Sequence, residues 1–482
     1  MSEAQVTSFA KTWASLNWSM LASRPLSGRS SAMAMVIAWP ILLGAAIWNR
    51  FPIVFYDTGA YLLQGLGGDF IMERSSAYSL FLKFAGAGWS LWAVAAVQAI
   101  LTAFVMVEFA RVERPDLSLP GFLSVVTAMA LATSLPWYVG QIEPDFATAL
   151  LTLSLYLLTF RADRIGYTRR AGLVAVGALT TALHPSHLGL ALILVSCTSL
   201  MGVFNRKQDS LRPKFELQWA SVAFGFALVV GANYALTRDA FVSRAGFVFL
   251  SARLTQDGMV KRVLDQECLR AKFRMCEFKD ELPASADAWL WDSESPFNTQ
   301  LGGFRGMRGE AERIAVESLA RYPLANLEAA TADTALQLIL VQTGDGIGPQ
   351  KTVLDPEFRK VIPKELSGYA GARQQRGELS FVLLNVVHVS VAYLSIVAMS
   401  AWLWRSSVKK RHWSDSALPA FVLAALLINA AICAVFSGPH GRYQSRVAWL
   451  PAFALLIAGA PPSARSLADQ GRIRHLIGSN GR

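Results

Sequence analysis

Long apolar runs alternate with short basic clusters along most of the chain. Runs of membrane-spanning length cover 33–49, 87–110, 120–138, 144–160, 171–184, 187–204, 217–236, 379–404, 417–436 and 447–461. Each predicts a helix, because a helix satisfies its own backbone polar groups inside lipid. The pattern therefore predicts an all-α polytopic membrane protein with about ten transmembrane helices. One polar stretch, 238–378, stands apart. It combines helical periodicity at 264–278 and 309–340 with Pro-, Gly- and Ser-rich pieces at 289–306 and 343–356 that read as ordered loops. Four parts follow: an amino-terminal membrane module (1–237), a soluble block of mixed helix and loop (238–378), a carboxy-terminal membrane module (379–464) and a basic tail (465–482). Within the first inter-span loop, 51–86, the segment 74–84 has the amphipathic, aromatic character of a helix lying in the membrane interface.

Composition agrees with this reading: 53% of the 482 residues are hydrophobic and 16% charged. The net charge of +11 is no sign of nucleic acid, since the basic residues sit between apolar runs as topology signals. They gather before the first run (Lys11, Arg24, Arg29) and after the second (Arg111, Arg114), fourth (Arg161, Arg164, Arg169, Arg170), sixth (Arg206, Lys207, Arg212, Lys214) and eighth (Arg405, Lys409, Lys410, Arg411), and in the tail (Arg465, Arg472, Arg474, Arg482). By the positive-inside rule these loops and both termini are cytoplasmic, which makes 238–378 periplasmic in a bacterial inner membrane. The first run lacks a small-residue cleavage site and reads as a retained helix. Cys197 and Cys433 fall in apolar runs and are expected in the core, whereas Cys268 and Cys276 share the external block and are expected to form a disulfide. No Cys/His spacing suits zinc.

With that orientation the polar clusters of chemical interest share one face. Asp57 lies between Tyr56 and Tyr61 where the first helix leaves the lipid; it is either a functional carboxylate or the N-cap of a short helix. Glu143 and Asp145 flank Pro144 at the tip of a tight hairpin, placed to bind substrate hydroxyls or to complement a helix dipole. His184 and His187 flank Pro185 where span 171–184 is short for a full crossing, so this joint is expected to contact substrate in a cavity or to cap helix ends. His440, Arg442 and Tyr443 occupy a short external loop before Arg446. An arginine on that side suits either a lipid-linked phosphate, through bidentate hydrogen bonds, or interfacial anchoring.

These elements resemble the GT-C superfamily of polyprenyl-phosphate-sugar-dependent glycosyltransferases, especially the branch near protein mannosyltransferases and lipid A aminoarabinose transferases. The resemblance rests on Tyr56-Asp57-Thr58-Gly59-Ala60-Tyr61, the Arg74-led interfacial segment, Glu143-Pro144-Asp145-Phe146, His184-Pro185-Ser186-His187, Arg321-Tyr322-Pro323-Leu324-Ala325-Asn326-Leu327 and Gly441-Arg442-Tyr443. Many relatives carry an adjacent acid pair in the first loop, whereas Thr58 follows Asp57 here. The resemblance implies a GT-C-like bundle and an inverting transfer of a sugar from a polyprenyl-phosphate donor to an envelope glycan, lipid or protein. In that chemistry Asp57 is the general base, and Arg442, with Arg74 or His440, steadies the departing lipid phosphate; Glu143, Asp145 and His184 orient sugar hydroxyls. No nucleotide or other cofactor is implied and no metal is assigned, although the superfamily admits a divalent ion. Two other classes compete: a transporter or flippase for a lipid-linked sugar, and a non-catalytic subunit of a polysaccharide assembly complex.

Overall fold

The computed structural model describes residues 25–204, 213–270, 272–408 and 413–459. Lys11, Arg24, Arg206, Lys207, Arg212, Lys409, Lys410, Arg411 and the tail 465–482 lie outside the described residues. Among the described residues the fold is helical and no strand forms.

The amino-terminal module runs α1 (Gly28–Leu42), α2 (Gly44–Asn49), α3 (Thr58–Leu62), α4 (Ser76–Phe84), α5 (Leu91–Glu113), α6 (Leu119–Ala132), α7 (Leu135–Val139), α8 (Phe146–Phe160), α9 (Tyr167–Ala182), α10 (Pro185–Phe204) and α11 (Phe215–Thr237). The block contributes α12 (Gly246–Gln256), α13 (Met259–Glu267), α14 (Ala286–Trp291), α15 (Pro296–Thr299), α16 (Gly303–Arg321), α17 (Pro323–Ile339), α18 (Lys351–Val361) and α19 (Leu366–Ala370). The chain then continues through α20 (Val382–Val408), α21 (Trp413–Phe436), α22 (Gly441–Ala448) and α23 (Leu450–Ala458).

Among the described residues, six helical stretches are long and apolar enough to cross a membrane: Gly28–Asn49, Leu91–Glu113, Pro185–Gly202, Phe215–Thr237, Val382–Val408 and Asp415–Phe436. The other four expected spans are shorter or jointed, for local reasons. The run 120–138 divides into α6 and α7 because Thr133 is extended and Pro136, lacking an N–H, cannot continue the helical ladder. The last run divides at Trp449, ahead of Pro451, into α22 and α23. α9 has 16 residues and α8 has 15. Every residue of α8 is buried, and α5, α9, α10, α11, α21 and α22 surround it. A helix apolar on all sides and enclosed by others is the bundle's axis rather than a lipid-facing wall. By contrast, α20 turns Leu383, Val386, Leu394 and Val397 outward.

The block has its own core around Trp289, Phe297, Met307 and Ile314, yet it is sewn to the bundle. α17 packs lengthwise along α21. The buried Arg253 donates to the Ala434 carbonyl at 3.0 Å and pairs with Asp257 at 2.7 Å and with Asp333. The expected helix at 309–340 is broken by Tyr322-Pro323 into α16 and α17. That at 264–278 ends at Glu267 and resumes as a 3-10 turn, Arg274–Phe278, and the Cys268–Cys276 disulfide joins the two pieces. Cys433 is buried as expected, but Cys197 is exposed, because α10 is apolar all round and turns that side outward.

Candidate functional site

The first loop is fixed before it presents any chemistry. Asn49 ends α2 and Arg50 takes a left-handed conformation; Ile53 then pairs in parallel with Gln141, its N–H reaching the Gly140 carbonyl at 2.9 Å and its carbonyl accepting from Ile142 at 2.8 Å. Gln374 satisfies both backbone groups of Val54. Gln98, buried within α5, donates to the Val139 and Gln141 carbonyls and accepts from the Tyr78 hydroxyl. The loops that carry Asp57 and Glu143 are therefore held together by backbone bonds and buried amides, and orphaning such groups is expensive.

Asp57 occupies the N-cap position of α3 but makes no side-chain cap bond. Thr58 takes over the local work, its hydroxyl accepting from the Phe55 N–H at 2.9 Å. The Asp57 carboxylate is free to turn away and accepts from Arg74 Nη2 at 2.6 Å, while its second oxygen lies 3.9 Å from Arg442 Nη2. Arg74 stands just before α4, whose N-cap Ser75 accepts from the Tyr78 N–H.

Arg442 is delivered from the far end of the chain. α22 is positioned by Tyr138 Oη donating to the Arg442 carbonyl at 2.9 Å, by Asp345 Oδ2 accepting from its N–H at 3.1 Å, and by Asn429 donating to the Tyr443 carbonyl at 2.7 Å. The Arg442 guanidinium lies 4.1 Å from the Phe55 ring centre and 4.8 Å from that of Tyr443. Gly346, at a positive φ, lets Phe55 sit there, since a Cβ would fall on its ring. Arg442 Nη1 and Arg74 Nε are buried with no hydrogen-bond partner. Buried donors are normally paired, so two open guanidinium N–H groups beside a carboxylate mark a place suited to an anionic ligand.

Behind this pair lies a second layer around Arg446, whose own Nε is likewise buried without a hydrogen-bond partner. Arg446 donates to Asp145 at 2.6 Å, to Asn429 at 2.9 Å and to Ser186 at 3.3 Å. Glu143 accepts from Thr58 at 3.1 Å. Burial, and next the Asp57 carboxylate, push the Glu143 carboxyl well above the usual carboxylate range. Tyr61 is buried edge-on against Tyr78 at 4.9 Å, and burial above all raises its phenol.

Asp57, Arg74, Glu143, Asp145, Tyr61, Arg442 and Tyr443 thus converge. The remaining sequence candidates sit around them. His184 touches the cluster through Ser186, with Nδ1 and Oγ 2.8 Å apart. His187 is enclosed between Thr148 and the Thr180 carbonyl, deeper in the bundle. His440 lies on the rim, 3.2 Å from Asp287 and 3.9 Å from Asp345. Tyr56 is half-exposed and packs against Phe55. Among the described residues no group of three His, Cys, Asp or Glu gathers to hold a metal.

Sequence reasoning did not place Arg446, Gln98, Trp291 or Glu357 in the site. Arg446 and Gln98 carried a usable signal, being polar residues within or beside apolar runs. Trp291, whose ring centre lies 5.3 Å from the Arg74 guanidinium, and Glu357, in an ordinary amphipathic helix, carried none. No family model matches the chain, and no curated protein or solved structure matches it either.

Proposed function

We propose that the protein is a membrane glycosyltransferase that moves a sugar from a polyprenyl-phosphate donor to a hydroxyl acceptor. The observation that carries this reading is Asp57 set between Arg74 and Arg442, each guanidinium keeping a buried N–H without a partner. In an inverting displacement the acceptor oxygen bonds to the anomeric carbon as the bond from that carbon to the phosphate oxygen breaks. The electron pair leaves with the lipid phosphate, and the acceptor proton passes to a carboxylate. Asp57 is the base, and Arg442 meets the phosphate charge before and during departure. Arg446 and Asp145 neutralise each other and hold α22 in place. The acceptor is an envelope glycan, lipid or protein.

In this reading all ten apolar segments sit in the bilayer, the four short or jointed ones behind their neighbours. Both termini face the cytoplasm and the 238–378 block faces the periplasm. The purified protein in lipid vesicles, given a polyprenyl-phosphate-linked sugar and a panel of hydroxyl acceptors, is expected to release polyprenyl phosphate in step with glycosylated product. Sugar that stays on its lipid with every acceptor would sink the proposal.

A lipid-linked-sugar transporter is the second reading. It draws on the buried Asp145–Arg446 pair beside the jointed helices α6/α7 and α22/α23, the kind of discontinuity that transporters use for binding. Movement of the intact lipid-linked sugar across the vesicle wall without cleavage would favour it.

A further inference from the structure

Glu357 belongs to α18, in the block, and α18 packs on α3 immediately after Asp57. Its carboxyl rests directly on Gly59, where any Cβ would fall on it. Glu357 Oε2 is buried and has no hydrogen-bond partner. A polar atom enclosed this way is costly unless it is neutral or serves a purpose, and residue 59 has to lack a side chain for the carboxyl to be there at all.

We propose that Glu357 is a positioning residue of the Asp57 site: ionised, its carboxylate competes with Asp57 for the Arg74 guanidinium, and protonated, it leaves Arg74 to Asp57. Glu357 thereby sets how freely Asp57 meets the acceptor hydroxyl. The inference rests on the glycosyl-transfer reading for its consequence, though not for its geometry. Arg74 and Asp57 are the charges that act on Glu357, and burial outweighs both, so the carboxyl is pushed up to about 7. α3 itself brings Tyr61; of the other elements packed on α18, the π-helical turn Leu63–Gly67 carries no titratable group, α19 brings Tyr369, and the turn Pro363–Glu365 brings Lys364 and Glu365. On α18 itself Lys360 is engaged by Asp69 at 2.7 Å, and Lys351, Asp355 and Arg359 complete its charges.

A carboxyl raised from 4.5 to about 7 holds its proton in the folded state after the unfolded chain has released it. Its contribution to stability is therefore fully present at acid pH and is lost as pH rises through that interval. Transfer runs the other way, rising as Glu357 ionises and frees Asp57.

The test compares the full-length wild type with Glu357→Gln, in detergent for melting and in vesicles for transfer. The Gln variant is expected to lose the decline of melting temperature between pH 4.5 and about 7, and its transfer rate is expected to lose the rise centred near pH 7. Gly59→Ala displaces the same carboxyl without removing it and is expected to abolish both features. Melting curves with the same pH slope in wild type and Glu357→Gln would overturn the inference, as would parallel pH profiles of transfer. Melting needs no substrate, so the failures are separable: a slope difference with no transfer by the wild type counts against glycosyl transfer alone.

Discussion

Arg74 donates to Asp57 across 2.6 Å, so the carboxylate nearest the first membrane helix is held by a charge from its own loop. Arg442, 3.9 Å from the other oxygen, approaches from the last helices. The two arginines differ in their hold on the acid: Arg74 is bonded to it, whereas Arg442 stands off at 3.9 Å, and in the proposed reaction this leaves Arg442 for the phosphate.

That division makes two variants differ in kind. Asp57→Asn keeps the shape of the side chain and removes the proton acceptor, so turnover is expected to fall by roughly 10²–10⁴ while donor binding survives. Arg442→Ala is expected to weaken donor binding as well as turnover. Donor binding by fluorescence quenching, beside single-turnover transfer, separates them; equal loss of binding in both variants would contradict the assigned roles.

Arg446→Ala strands a buried carboxylate on Asp145, and breaking such a pair from one side destabilises by about 3–5 kcal/mol. Asp145→Asn combined with Arg446→Gln removes both charges and is expected to recover part of that loss. Thermal unfolding in detergent reads the difference, and additive effects of the two substitutions would show that the residues do not act as a pair.

The Cys268–Cys276 disulfide closes a short loop in the block, with a sequence separation of 8. Replacing both cysteines with serine is expected to lower the block's stability by roughly 2–3 kcal/mol on the chain-entropy account. Limited proteolysis between α13 and α14 should speed up accordingly; unchanged cutting would mean that the core around Trp289 holds the loop by itself.

Ser293 is exposed on the block. Ser293→Cys in a Cys197→Ser background is expected to react with an impermeant thiol reagent added to the periplasmic side of intact cells. Labelling only after the inner membrane is opened would reverse the assigned orientation.

Much of the fold was legible because the signal for a membrane helix is long and redundant: α5, α11, α20 and α21 are uninterrupted apolar runs. The joints were less legible. Thr133 and Trp449 break helices inside apolar sequence, each with a proline two or three residues on, and a hydropathy pattern does not register a kink that lipid tolerates. The site divides the same way. Asp57, Glu143, Asp145 and Arg442 stood out as charges at the ends of apolar runs, and they do meet. Glu357 did not, because a Glu in an amphipathic helix normally faces water. Only the fit onto Gly59, a contact between residues far apart in sequence, distinguishes it.

Asp145 and Arg446 are 301 residues apart, and this spacing sets an order of assembly. Asp145 leaves the ribosome long before its partner exists, at the head of the helix that becomes the bundle's axis. Until α22 arrives, that axis carries an acid with no cation to meet it, and the remaining helices gather round an unfinished charge. A chain that stops short of α22 therefore leaves Asp145 without its Arg446 partner, and the bundle closes on a neutral balance only when the last helices are in place.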